Sequence, residues 1–72
     1  MNCLITMRSE TYSRRAEKTL REKGIRAEIT RLDGEYAKKG CGYGIRLDCR
    51  SKAAALGILN AAGIPYSDLR ML

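Results

Sequence analysis

Histidine, tryptophan and phenylalanine are absent from this 72-residue chain, and proline occurs once. Without histidine, no cysteine–histidine catalytic pair can form within one chain, and zinc would have to be held by thiolates alone. Without Phe or Trp, and with only four tyrosines, the core must be packed from Leu, Ile and Ala. So short a chain lies near the lower limit for a self-sufficient core, which favours help from self-association. No apolar stretch approaches the length that spans a bilayer, and the apolar start at Leu4-Ile5 is too short for the hydrophobic segment of a secretory signal. Cysteine is sparse too: three residues, an odd number at irregular spacing, outline no secreted disulfide framework. These absences lead to the expectation of a single domain, residues 1–72, in a reducing cytoplasm, with no membrane partner, no metal and no other cofactor.

Charge is plentiful and skewed, 14 Lys and Arg against 8 Asp and Glu, for a net +6. A polyanion partner would exploit such a surplus, yet its distribution is that of a solvated surface. Arg14, Arg15, Lys18, Arg21 and Lys23 share their segment with Glu10, Glu17 and Glu22. Glu10/Arg14 and Glu17/Arg21 are spaced i,i+4 in the favourable orientation. Nucleic-acid binding through the basic surface is therefore the weaker reading. An RNA-binding sheet would also need strand aromatics, of which Tyr43 is the sole candidate on the third strand.

Residues 2–7 are apolar and partly β-branched, as in a buried strand. Ser9 or Thr11 can cap a helix over 9–23, whose stripe of Tyr12, Ala16 and Leu20 runs to a terminating Gly24. Residues 25–32 alternate apolar and polar, a half-buried strand. Asp33-Gly34 then opens a polar loop reaching Lys39. A second strand–helix–strand unit follows: 43–48, a helix over 50–62 capped by Asp48 or Ser51 and ended by Gly63, and 65–71. Pro65 marks the last strand as an edge. An offset of 39 residues superposes Ala16, Leu20, Gly24 and Ile25 on Ala55, Leu59, Gly63 and Ile64. The order β-α-β-β-α-β predicts an α+β, ferredoxin-like plait: a four-stranded antiparallel sheet with two helices on one face. The other face, expected to be partly apolar, is a surface for a homodimer or a protein partner.

One cysteine stands apart, in Lys38-Lys39-Gly40-Cys41-Gly42. Its small neighbours leave the sulfur sterically accessible, and the glycines let the loop turn tightly. Lys38 and Lys39 favour a thiolate over a thiol, the nucleophilic form. The predicted topology sets Cys41, at the start of the third strand, beside Arg8, Ser9 and Thr11, where a helix N-terminus favours anions. The binding residues expected around Cys41 are thus Lys38, Lys39, Gly40, Gly42, Arg8 and Ser9. Cys3 and Cys49 belong to the opposite end, roughly 20 Å or more along the strand from Cys41, where each is expected to pack as a small buried hydrophobe. The glycine run 40–44 leads into a strand rather than a helix, so a dinucleotide-binding role does not apply.

The runs Thr6-Met7-Arg8-Ser9, Ala16-Glu17-Lys18-Thr19-Leu20 with Gly24-Ile25, and Cys41-Gly42-Tyr43-Gly44-Ile45-Arg46-Leu47 resemble the Se/S carrier protein-like family over nearly the whole chain. The resemblance implies that Cys41 corresponds to a cysteine that carries sulfur or selenium, followed by Gly42. It departs from the family pattern before the cysteine, where Lys39-Gly40 replace small hydroxyl residues. The expected function is a carrier rather than an enzyme, holding a persulfide or selenosulfide on Cys41 between a protein donor and a protein acceptor. The alternative from another class is an interaction or regulatory module in which the Gly-Cys-Gly turn is structural.

Overall fold

A computed structural model describes residues 1–38 and 40–71. The elements run β1 (Asn2–Met7), α1 (Glu10–Glu22), β2 (Ala27–Arg31), α2 (Glu35–Lys38), β3 (Tyr43–Asp48), a 3-10 turn (Cys49–Ser51), α3 (Lys52–Ala61) and β4 (Asp68–Met71). The sheet order is β2-β3-β1-β4, with every neighbouring pair antiparallel. This is the α+β plait expected from the pattern of elements. Alternate residues Ile5 and Met7 of β1, Ile45 and Leu47 of β3 and Ala27 of β2 point to the helices, where Ala16 and Leu20 of α1, Ala55 and Leu59 of α3, and Ile64 close the core.

Both long helices end in the same way. Gly24 takes φ +84° and Gly63 φ +70°. Ile25 N–H donates to Leu20 O at 2.9 Å and Gly24 N–H to Arg21 O at 3.0 Å. Ile64 N–H donates to Leu59 O at 2.9 Å and Gly63 N–H to Asn60 O at 3.2 Å. These are paired Schellman caps, each with an apolar contact from the residue after the glycine. The caps consume Ile25 and Ile64, so β2 and β4 begin later than the alternation suggested, and Pro65 falls in the connection before the edge strand β4. At its start, α1 is capped by Ser9, whose Oγ accepts from Tyr12 N–H at 3.3 Å; Thr11 lies inside the first turn. Asp48 caps the 3-10 turn by accepting from Arg50 N–H at 2.9 Å. The Arg50 guanidinium and amide together hold its carboxyl down at about 2. The polar loop after Gly34 contains the single turn α2.

The helix α1 is not charged for solvation alone. Glu17 accepts from Ile29 N–H at 2.9 Å and Arg21 Nε donates to Ala27 O at 2.9 Å. Both side chains thereby occupy backbone groups of the edge strand β2, which would otherwise be open to pairing with another chain.

Two expectations are corrected. Cys3 and Cys49 do not pack as separate thiols; they form a disulfide with a Cα–Cα distance of 5.0 Å across 46 residues of sequence. The register explains it. Cys3 lies opposite Leu47 and Asn2 opposite Asp48, and the 3-10 turn then brings Cys49 back toward the start of β1, with its N–H donating to Met1 O at 3.0 Å. The uncovered face of the sheet is also more polar than expected. It presents Glu28 and Thr30, Arg46 and Asp48, Asn2, and Asp68 and Arg70, with an Arg46–Glu28 ion pair at 2.9 Å. Its one large apolar residue near the centre, Leu4, is only 3% exposed and sits between Arg46 and Arg70. Leu4 folds over Gly44: a Cβ there would meet Leu4 Cδ1 at 2.8 Å, Ile5 O at 3.2 Å and Leu32 Cδ1 at 3.3 Å. Self-association through this face therefore lacks the apolar surface on which it was expected.

Candidate functional site

Three chain segments meet where β1 ends. Met7 pairs with Tyr43, which carries Arg8 toward the residues preceding β3. Thr6 pairs with Asp68, and Ser67 N–H donates to Thr6 O at 2.8 Å, which fixes the α3–β4 connection against the same strand end. The loop before β3 is tied from the other side, because Leu32 N–H donates to Gly42 O at 2.9 Å. Gly40 adopts φ +83° and its N–H closes α2 on Ala37 O at 3.0 Å. Only a residue without a Cβ takes that conformation at low cost. Gly42 is not in the left-handed region; its contribution is the carbonyl that Leu32 engages.

Cys41, the free cysteine, lies at this junction, and it is 8% exposed. Steric accessibility, expected from its small neighbours, is not what the fold provides, because side chains from β1 and from the segment before β4 close around the sulfur. Ser67 is the strongest influence on the thiol, hydrogen-bonding to it and drawing its pKa down. Burial opposes this, and hydrogen bonds from Thr6 and Arg8, with the Arg8 charge, add to the lowering. The net direction is below the ordinary thiol value, toward the nucleophilic thiolate.

The sequence-derived set is partly assembled by the fold. Arg8 is among the groups that draw the Cys41 pKa down. Ser9 caps α1 and lines a cleft of about 440 Å³ together with Arg8, Tyr12, Pro65, Tyr66 and Ser67. Lys38 is exposed in the last turn of α2, and Lys39 lies outside the described residues. The positive charge that lowers the Cys41 pKa comes from Arg8. Thr6 and Ser67 were not anticipated. The signal for them was present in the topology, since an antiparallel β4 beside β1 must start where β1 ends, next to Cys41. Among the described residues no cluster of three His, Cys, Asp or Glu side chains could hold a metal ion, and no helix is long and apolar enough to cross a membrane.

Against known proteins, residues 2–70 match the sequence model of the family described as Putative Se/S carrier protein-like. The chain belongs to this family. The match covers all three cysteines, both Schellman caps and every residue of the cleft lined by Arg8 and Ser67. No curated protein and no solved structure matches the chain. Within the Se/S carrier protein-like family, this member thus presents one free thiol, hydrogen-bonded at the end of the sheet remote from its disulfide.

Proposed function

We propose that this protein is a chalcogen carrier, with Cys41 holding a sulfur or selenium atom as a persulfide or selenosulfide between a donor protein and an acceptor protein. The observation that carries the reading is a free thiol shifted toward thiolate by Ser67, Thr6 and Arg8 in a chain of the Se/S carrier protein-like family. In loading, the Cys41 thiolate attacks the outer sulfur of a donor persulfide. The donor's S–S bond breaks, its electron pair and the proton stay with the donor sulfur, and Cys41 becomes the persulfide. In unloading, an acceptor thiolate attacks that outer sulfur and the Cys41 thiolate departs, with no net oxidation over the two steps. Arg8 stabilises the anionic states at the sulfur, and Lys38 and Lys39 supply a basic approach for acidic partner surfaces. Such a protein relays an atom and needs no catalytic turnover of its own; it would do so as a single domain in the cytoplasm.

The test is incubation with a protein persulfide donor, followed by intact-mass measurement under non-reducing conditions. One added sulfur or selenium per chain, lost in Cys41→Ser, is the expected result. No uptake by the wild-type chain refutes the carrier role and leaves the interaction-module reading in its place.

A further inference from the structure

The two edges of the sheet are finished differently. Along β2 the closure comes from α1, where Glu17 accepts from Ile29 N–H and Arg21 donates to Ala27 O, each at 2.9 Å. At β4 the Leu69 N–H donates at 2.8 Å to the carboxylate of its own neighbour, Asp68, and so is turned away from β1. Backbone groups alternate in direction along a strand, which leaves Asp68 and Arg70 to bond inward to their register partners Thr6 and Leu4. Among the described residues, no side chain of another element engages the Leu69 N–H or carbonyl. One edge is shut by a helix, and the other is held only by a side chain of its own strand.

Charged residues on an edge ordinarily guard it against pairing, but their order here works the other way. Asp68 and Arg70 are exposed on the open face of the sheet and pair with each other at 3.2 Å. Leu69 lies between them on the helix side, half-buried against the core. Read antiparallel, acid–leucine–base becomes base–leucine–acid. Residues directly opposite in an antiparallel pair share a face, so registers between β4 and its copy differ by steps that preserve the faces. Setting Leu69 opposite Leu69 puts each Asp68 against an Arg70 and matches outward N–H to outward carbonyl. The adjacent registers put Asp68 against Asp68 or Arg70 against Arg70, which like charges disfavour. We infer that β4 is a self-pairing edge, at which two copies of this chain join antiparallel about a two-fold axis at Leu69. The two four-stranded sheets become one of eight strands, in the order β2-β3-β1-β4-β4-β1-β3-β2. The occupant is a second copy because the complementarity is to the strand's own reverse. With β4 only four residues long, the contact is small and the dimer exchanges readily with monomer. The inference is independent of the use made of Cys41.

The experiment is sedimentation of the full chain with its disulfide intact, in about 0.15 M salt, where charges more than about 8 Å apart are screened. Protein concentration rises to about 1 mM, the weak end of specific association. Wild type is expected to pass from monomer to dimer. Asp68→Arg and Arg70→Asp each turn both cross-strand pairs repulsive and should weaken the dimer at least about tenfold, with the circular dichroism of the fold retained. Mixing the two variants should restore association, because each Arg of one chain then meets an Asp of the other. The wild-type net charge of +6 leaves both variants net positive, so general attraction cannot join them, and mixing mends no defect inside either chain. In the amide spectrum of wild type, Leu69 should shift with concentration while Ile29, on the closed edge, does not. A chain that stays monomeric throughout overturns the inference. So does a dimer indifferent to both substitutions, a concentration-dependent shift that leaves Leu69 unmoved, or folded variants that remain apart when mixed. Should a single variant fail to fold, the double exchange Asp68→Arg/Arg70→Asp is reversed in order but again self-complementary. It is expected to dimerise as wild type does, and a monomeric double exchange overturns the inference.

Discussion

Opening the Cys3–Cys49 bond should cost this protein a large part of its stability. The bond closes a loop across 46 residues, and loop-closure entropy for a ring of that size corresponds to about 4 kcal/mol at 25 °C. A 72-residue chain has roughly 4–11 kcal/mol of total stability to lose. The perturbation is the double variant Cys3→Ala/Cys49→Ala, compared with wild type before and after reduction. The variant also leaves Cys41 as its sole thiol, which separates the effect of the ring from any effect of reductant at the site. In urea, with a slope near the low end of the small-protein range, about 1 kcal/mol/M, the midpoint should fall by several molar. The slope itself should rise, because the unfolded chain expands once the ring is open. Cys3 is completely buried, so reductant must attack through half-buried Cys49, and reduction of the native protein should be slow. A thiol titration of the native oxidised chain should find one reactive cysteine, rising to three after unfolding in reductant. Three thiols in the native chain, or a urea midpoint indifferent to both reduction and substitution, would refute the reasoning.

Two further outcomes follow from the site and its support. The rate at which a small alkylating reagent labels Cys41 should climb with pH to a plateau, with a midpoint below that of the same cysteine in the unfolded chain. Ser67→Ala should move that midpoint upward, because Ser67 makes the largest contribution to the lowering; a profile unaffected by Ser67→Ala would show that the bond is not made in solution. Gly44→Ala should destabilise the fold by about 1–3 kcal/mol, the cost of forcing a methyl group into packed surroundings, since its Cβ would press on Leu4 Cδ1 and Ile5 O. A urea midpoint equal to wild type or higher would count against that packing.

The periodicities of this chain were legible because each element carries its own punctuation. An apolar, partly β-branched run marked the strand at 2–7, alternation the one at 43–48, and Gly24 and Gly63 marked the helix ends. The 39-residue offset between the two halves reappears as two caps with the same hydrogen bonds. Strand starts were less legible, because Ile25 and Ile64 are apolar both as strand residues and as cap contacts, and only the backbone path distinguishes the two uses. The influence of Arg8 on Cys41 followed from topology alone. Thr6 and Ser67 needed the β1–β4 register, which no short-range pattern encodes. The disulfide depended on a detail smaller still: a 3-10 turn directly after β3 turns Cys49 back over Cys3, where an extended residue would have carried it away. The polarity of the open face was written in Glu28, Arg46, Asp68 and Arg70, but reading it required knowing which of them are cross-strand neighbours of Leu4.

The covalent tie also gives the molecule a direction. Its two strand ends are chemically unequal: one holds Cys3 bonded to Cys49, and the other gathers Cys41, Arg8 and Ser67 through hydrogen bonds alone. Fluctuations that open a protein locally take the route with the least to break, so breathing is biased toward the end where the sulfur is enclosed. Amide exchange should therefore grade along β1 and β3, slow beside Cys3 and Leu47 and faster beside Met7 and Tyr43. A thiol only 8% exposed in the resting fold can in this way be reached by a reaction partner while the far end of the sheet stays shut.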